Sequence, residues 1–260
     1  MALSLMALVV TSTAFAQDAR LKRLTSSEDA RAWQAVGRLN IGGTGFCTGA
    51  LIAPKMVLTA AHCLFDKTTG APIDHTEVEF LAGWRDGRAS AYRTVRRAVV
   101  HPDYSYDSHA GATGMRHDLA LLELDHPIRD GRIKPFSTTA RPRRGAPVAV
   151  VSYGKDRSEA PSLQELCSVL AQQDGVLVTS CSVDFGSSGA PIFVVQDGAV
   201  QIVSVVSAKA EVDGQAVSLG TSLGAPLAQL QAQMVASKGG LSRSVRAGVR
   251  NNTGAKFVSP

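Results

Sequence analysis

FCTGALIAPKMVLTAAHC, residues 46–63, carries two short apolar runs, 48–52 and 56–61, parted by Ala53-Pro54-Lys55 and flanked by Cys47 and Cys63. Apolar runs this short, rich in Val, Leu and Ile and stopped by Pro or Gly, read as β-strands. The same rhythm extends outward on both sides. Segments 33–39, 78–81, 93–100 and 119–124 complete a first set, after which a basic, proline-containing stretch, 131–146, reads as a linker. Segments 147–153, 168–172, 177–181, 190–195, 200–208 and 216–221 form a second set of about the same size. The chain is therefore expected to be all-β, with one barrel over 33–130 and another over 147–222. One stretch breaks the pattern: in PLAQLQAQMV, residues 226–235, Leu227, Leu230 and Met234 recur at helical spacing behind Pro226. It is expected to form a C-terminal helix, within 223–237, packed on the second barrel.

At 260 residues and 45% apolar content the chain can bury a substantial core, which excludes disorder of the whole. Its net charge of +5 raises the question of an anionic partner, and the answer depends on where the charge sits. Residues 238–260 contain Lys238, Arg243, Arg246, Arg250 and Lys256 and no acid, so this tail alone accounts for the excess. Rich in Gly, Ser, Arg and Asn, it cannot bury enough apolar surface to offset its ordering entropy, and is expected to be a disordered, solvated terminus. No nucleic-acid partner is expected.

MALSLMALVVTSTAFA, residues 1–16, is uncharged, apolar through Val10, and ends on Ala14-Phe15-Ala16, the small-x-small pattern that precedes signal-peptidase cleavage. It lacks a basic start, and is shorter than the roughly 20 apolar residues of a membrane span. Export to the periplasm or medium is expected, with no membrane span after the signal is removed. Residues 17–32 are polar and read as an N-terminal segment or pro-segment. Four cysteines in an exported chain suggest two disulfides, in any of three pairings. Cys47 with Cys63 and Cys167 with Cys181 would close short loops, each stabilising by roughly 3 kcal/mol in the chain-entropy picture. There is no CxxC and no paired-histidine spacing, so zinc is not expected.

Acyl transfer by serine needs a hydroxyl nucleophile, an imidazole to take and return its proton, and a carboxylate to orient the imidazole. His62 ends an apolar strand beside Cys63, a fixed backbone position of the kind a general base needs. Asp118 opens the apolar run DLALLEL, where a partly buried carboxylate requires a partner such as an imidazole N–H. Ser188 lies in GSSGAP between Gly186 and Gly189; small residues allow a tight turn in which the N–H groups of Gly186 and Ser188 converge on an oxyanion. Each signal alone is weak, since serines among glycines are mostly turns and an Asp ahead of a strand is mostly a cap. The other histidines, His75, His101, His109, His117 and His126, lie in polar loops or beside prolines and read as solvated.

LTAAHC, DLALLEL and GSSGAP resemble, in order and spacing, the three signature segments of the chymotrypsin and trypsin family of serine peptidases. WQAVGRL (33–39) resembles the family's first strand, FCTGALIAPKMVLTAAHC its disulfide-bearing hairpin, and VVHPDY (99–104) the loop approaching the aspartate. The likeness runs from about residue 33 to 235 and is greatest to bacterial secreted trypsin-like and glutamyl-endopeptidase-like members. It implies two packed six-stranded antiparallel β-barrels with a C-terminal helix, and a site in the cleft between them. His62, Asp118 and Ser188 would be the triad, and the amides of Gly186 and Ser188 the oxyanion hole. It implies hydrolysis of protein or peptide substrates by a monomer without a cofactor.

The chain also departs from the family pattern. Animal trypsins place an Asp immediately before the nucleophile, where it pairs with the amino terminus freed on activation; here that residue is Ser187. Ile41-Gly42-Gly43 lies too close to Cys47 to be that terminus, and activity is expected not to depend on one, although removal of a pro-segment after Arg20 or Arg23 stays open. In the substrate pocket, Ser182 stands six residues before the nucleophile where trypsin-like enzymes keep an Asp, and Asp184 stands four before. Ser204-Val205-Val206 resembles the strand that pairs with substrate backbone, with Val206 in place of the usual glycine; Ser182, Ser204 and Val206 are thus the expected pocket residues. An α/β-hydrolase would need GxSxG and the order Ser, Asp, His, which this chain lacks. A catalytically inactive binding protein on the same fold is the remaining alternative.

Overall fold

The computed structural model of the chain describes residues 21–236, except 44, 107–113, 140–141, 197 and 213. The expected signal at 1–16, the basic tail at 238–260 and His109 lie outside the described residues.

The chain enters through a two-residue strand, β1 (Lys22–Arg23), and then builds β2 (Val36–Ile41), β3 (Gly45–Ala53), β4 (Met56–Thr59), β5 (Val78–Ala82), β6 (Ala91–Val100) and β7 (Ala120–Leu124). β2 through β7 close into a barrel in the order β2-β3-β4-β7-β6-β5, because β2 pairs with β3 on one edge and with β5 on the other. The interior is filled by Leu39, Leu51, Val57, Phe80 and Leu122, all fully buried, while Leu58 and Leu121 are buried on the outer face of the same strands. Each such side chain contributes roughly 1.5–3 kcal/mol relative to exposure. The one acid buried in β7, Glu123, is neutralised by Arg97 at 2.7 Å.

The second barrel follows β8 (Ser137–Thr138) and consists of β9 (Pro147–Ser152), β10 (Ser162–Gln173), β11 (Val176–Thr179), β12 (Pro191–Gln196), β13 (Ala199–Val212) and β14 (Gln215–Ser222). Its ring runs β10-β11-β14-β13-β12-β9 and closes through the β9–β10 pairing; β1 adds to β10, and β8 adds parallel to β13. The fold is thus two closed six-stranded antiparallel barrels and one C-terminal helix. Trp33 and Phe136 pack on Phe193 of β12 with ring centroids 5.0 and 4.7 Å apart, an aromatic wedge joining the barrels.

One placement differs from expectation. The helix, α1 (Gly224–Ala236), buries Leu227, Leu230 and Met234 as predicted, but against β6 and β7 of the first barrel. Helical periodicity identifies an apolar face without identifying what covers it. Ahead of Trp33, Lys22 pairs with Leu163 and Leu24 is 1% exposed, so the described part of this segment straps onto the second barrel.

Candidate active site

β4 ends at Thr59 and the chain turns through a 3-10 segment, Ala61–Leu64, that carries His62. The Cys47–Cys63 disulfide, with Cα atoms 6.2 Å apart, ties this turn to β3; Cys167 and Cys181 form the second bridge. Asp118, 3% exposed, lies just ahead of β7. It faces the turn so that Oδ1 accepts the backbone N–H of His62 at 2.8 Å while Oδ2 lies 2.7 Å from His62 Nδ1. Ser207 Oγ donates a short hydrogen bond to the same Oδ2. Three donors therefore compensate the desolvation of one buried carboxylate. Burial pushes the His62 imidazole down, but the charge of Asp118 and its hydrogen bond more than offset this, and the imidazole titrates above its ordinary value of 6.5.

Ser188 lies on the turn that leads into β12, partly exposed, its carbonyl accepting the N–H of Thr48 at 2.8 Å. The preceding Gly186 has φ 90°, and a Cβ there would lie 2.3 Å from the ring of Phe46, so only glycine fits. Its carbonyl accepts Thr48 Oγ1 at 2.9 Å, and the carbonyl of Phe185 accepts Lys155 N–H at 2.8 Å. With both carbonyls turned away, the amide N–H groups of Gly186 and Ser188 meet no acceptor among the described residues. A trypsin family model matches residues 24–219.

The chain belongs to the trypsin family.

Relatives support the same placement. Serine protease 23 of Bos taurus is 31% identical over 163 residues, covering 57% of this chain and 43% of that protein. Serine protease 56 of Mus musculus is 29% identical over 147 residues, covering 54% and 23%. The chain thus spans less than half the length of these curated relatives. A solved structure titled "Structure of Glu endopeptidase in complex with MPD" superposes with a TM-score of 0.67 at 17% identity, covering 83% of this chain and 96% of that one, a likeness of fold.

For a trypsin-family chain the expected pocket residues fall unevenly. Ser182 is exposed beside Cys181, its N–H held by Gln164 Oε1 at 2.9 Å. Ser204 is fully buried and donates its hydroxyl to the carbonyl of Thr221 at 2.8 Å, so no substrate side chain can reach it. Val206, 2% exposed, belongs to the interior of the second barrel. The segment 204–206 also cannot pair with substrate backbone, because β12 and β14 already occupy its two edges. Pairing with β12 begins at Pro191 opposite Val205, so the free edge of β13 starts at Ser207. The edge left unpaired is therefore not Ser204-Val205-Val206 but begins three residues later, at Ser207. Asp184 is no free pocket carboxylate either: Lys209 Nζ sits 2.9 Å from its Oδ1 and 4.4 Å from the ring centroid of Phe185, which is 61% exposed.

Thr48, Ser207 and Arg157 were missed by sequence reasoning. Thr48 Oγ1 both donates to Gly186 and accepts the N–H of Tyr153 at 3.1 Å, joining β3 to the second barrel. Its only signal is a hydroxyl in an otherwise apolar strand. Among the histidines, His101 is 3% exposed and stacks on His117 at 4.6 Å, which corrects the expectation that it is solvated. His101, His117 and Asp103 approach one another closely enough to suggest a metal, but His101 Nδ1 accepts the Asp103 N–H and the two rings lie 8° from parallel. Ring lone pairs in stacked planes do not converge on one ion. The sulfurs near His62 are committed to the disulfide.

A cleft of about 200 Å³ adjoins His62, lined by Phe46, the Cys47–Cys63 bridge, Phe65, Lys67 and Ile73. A larger concavity of about 580 Å³ is lined by Arg31, Arg132 and Lys134 and includes no residue of the proposed triad. Of the two, the cleft beside His62 is the one that borders a residue of the proposed triad.

Proposed function

We propose that this chain is an exported serine endopeptidase that hydrolyses peptide bonds through an acyl-enzyme on Ser188. The observation that carries the proposal is the His62–Asp118 pair, held by both backbone and ring hydrogen bonds at 2.8 and 2.7 Å. It stands in a trypsin-family fold in which the amides of Gly186 and of Ser188 itself are uncommitted among the described residues.

In this reading Ser188 Oγ attacks the scissile carbonyl carbon and His62 Nε2 takes the hydroxyl proton. Asp118, held on Nδ1–H, fixes the tautomer that leaves Nε2 free and stabilises the imidazolium. The negative charge formed on the carbonyl oxygen is met by the N–H groups of Gly186 and Ser188. Collapse expels the amine, which leaves with the proton held by His62. Water then attacks the acyl-enzyme by the same route, returning the proton to Ser188. Substrate backbone adds as a strand along the free edge of β13 from Ser207 to Lys209, and Ser182, exposed beside Cys181, is the remaining candidate for contact with the substrate side chain. Nothing in these steps calls for a metal.

Export is supported by the pattern at residues 1–16 together with two disulfides, which persist in oxidising compartments. Among the described residues no helix is long and apolar enough to cross a membrane. The nucleophile is tested with a fluorophosphonate probe and intact-mass and peptide mapping. One covalent adduct on Ser188 is expected, with none in His62→Ala. A folded protein without an adduct supports the binding-protein reading instead.

A further inference from the structure

The turn that presents the oxyanion amides is gripped from below by a half-buried cation. We propose that Arg157 is a positioning residue that holds this turn in working shape, so that the turn needs no freed amino terminus. The proposal rests on the peptidase reading of Ser188 and extends it to a residue that contacts no substrate.

Ser187, between the two oxyanion amides, is 0% exposed and points inward. Its Oγ accepts Arg157 Nη2 at 3.1 Å and donates to Ser152 Oγ at 3.2 Å. The same Nη2 reaches Ser152 Oγ at 3.1 Å, and Nη1 donates to the Ser152 carbonyl at 2.7 Å. The guanidinium thus spans the end of β9 and the inner face of the turn. Space for it is made by Gly154, where a Cβ would lie 2.8 Å from Arg157 Cζ.

A partly buried cation usually has a carboxylate against it. Arg157 has none within ion-pair distance among the described residues, and its charge is met instead by the oxygens of Ser152 and Ser187. Burial lowers its pKa, opposed only by the more distant charge of Asp184. The short 3-10 segment Lys155–Arg157 takes hold of the turn twice, by Lys155 N–H on the Phe185 carbonyl and by Arg157 on Ser187. The first contact fixes the Phe185–Gly186 peptide with its carbonyl turned away from the hole, which in a trans peptide aims the Gly186 N–H in the opposite direction. Movement of Arg157 would release both contacts together. The contacts on Phe185, Gly186 and Ser187 named above come from residues 48 and 152–157, while Val206 and Lys209 hold the flanking Gly189 and Asp184.

Phe–Gly occurs once in the sequence, so protein labelled with carbonyl-13C phenylalanine and 15N glycine gives a single carbonyl-coupled amide resonance, that of Gly186. In Arg157→Gln this resonance should shift and broaden. Turnover should fall by about tenfold or more, since an oxyanion donor is misplaced, while KM changes by less than about threefold. Arg157→Lys should recover part of both, and one residue added to the mature N-terminus should change neither. An unmoved resonance with unchanged turnover in Arg157→Gln overturns the proposal, as does loss of activity on N-terminal extension. Should Arg157→Gln fail to fold, Ser187→Ala removes the acceptor and is read by the same two measurements. A wild type without turnover, whose Gly186 resonance still moves with Arg157, would refute the peptidase reading and leave the positioning role standing.

Discussion

Asp118 is the residue on which most of the site geometry converges. It is buried, accepts three hydrogen bonds, and keeps His62 titrating above its ordinary value against the opposing effect of burial. A base must be neutral to accept a proton, so kcat/KM should rise with pH through a midpoint above 6.5. Asp118→Asn removes the charge that raises the imidazole and leaves the burial that lowers it. The variant should lose on the order of 10⁴ in kcat, and what activity remains should have its midpoint moved to lower pH. A pH–rate profile of wild type and variant checks both. Stability carries the same sign: protonated His62 is favoured in the fold, so its contribution is present at low pH and is lost as pH rises through the raised value. His62 and Asp118 were legible in sequence through LTAAHC and DLALLEL, whose order and spacing resemble the family's signature segments. Ser207 was not. Ser204 and Ser207 lie three apart on one strand, and sequence alone does not say which of them faces out beyond the end of β12. A shift in register between Val206 and Ala208 further obscures the alternation.

At the scale of elements, directed contacts tie the barrels at several points, and Thr48 of β3 makes three of them. Its N–H, hydroxyl and carbonyl engage Ser188, Gly186, Tyr153 and Thr59. Thr48→Val keeps the shape and leaves the Gly186 carbonyl and the Tyr153 N–H without their partner, which should cost about 1–3 kcal/mol. For a chain of this size that is a fall of several degrees in Tm, and turnover should fall as well because the Gly186 peptide loses a tether. Calorimetry with steady-state kinetics tests it; unchanged Tm and kcat would show that the staple is dispensable. The strands themselves were readable, since short alternating runs have few other ways to bury their apolar side. The partner of α1 was not, because Leu227, Leu230 and Met234 would suit either barrel equally well.

For the whole molecule, closing the two barrels pairs most strand edges among the described residues. The free run of β13 beyond Ser207 lies beside the residue bonded to Asp118, where an extended peptide would be needed for cleavage. The fold was anticipated from segment spacing and the resemblance it carries, while the pocket was not, since its walls depend on strand register and on the Lys209–Asp184 pair. The central claim is that His62, Asp118 and Ser188 act together to cleave peptide bonds. Its most direct test is to incubate purified mature protein and Ser188→Ala with a mixed peptide library and map every new terminus by mass spectrometry. Internal cleavages present with wild type and absent with the variant are predicted. Equal cleavage by both proteins, or none by folded wild type, would contradict the account.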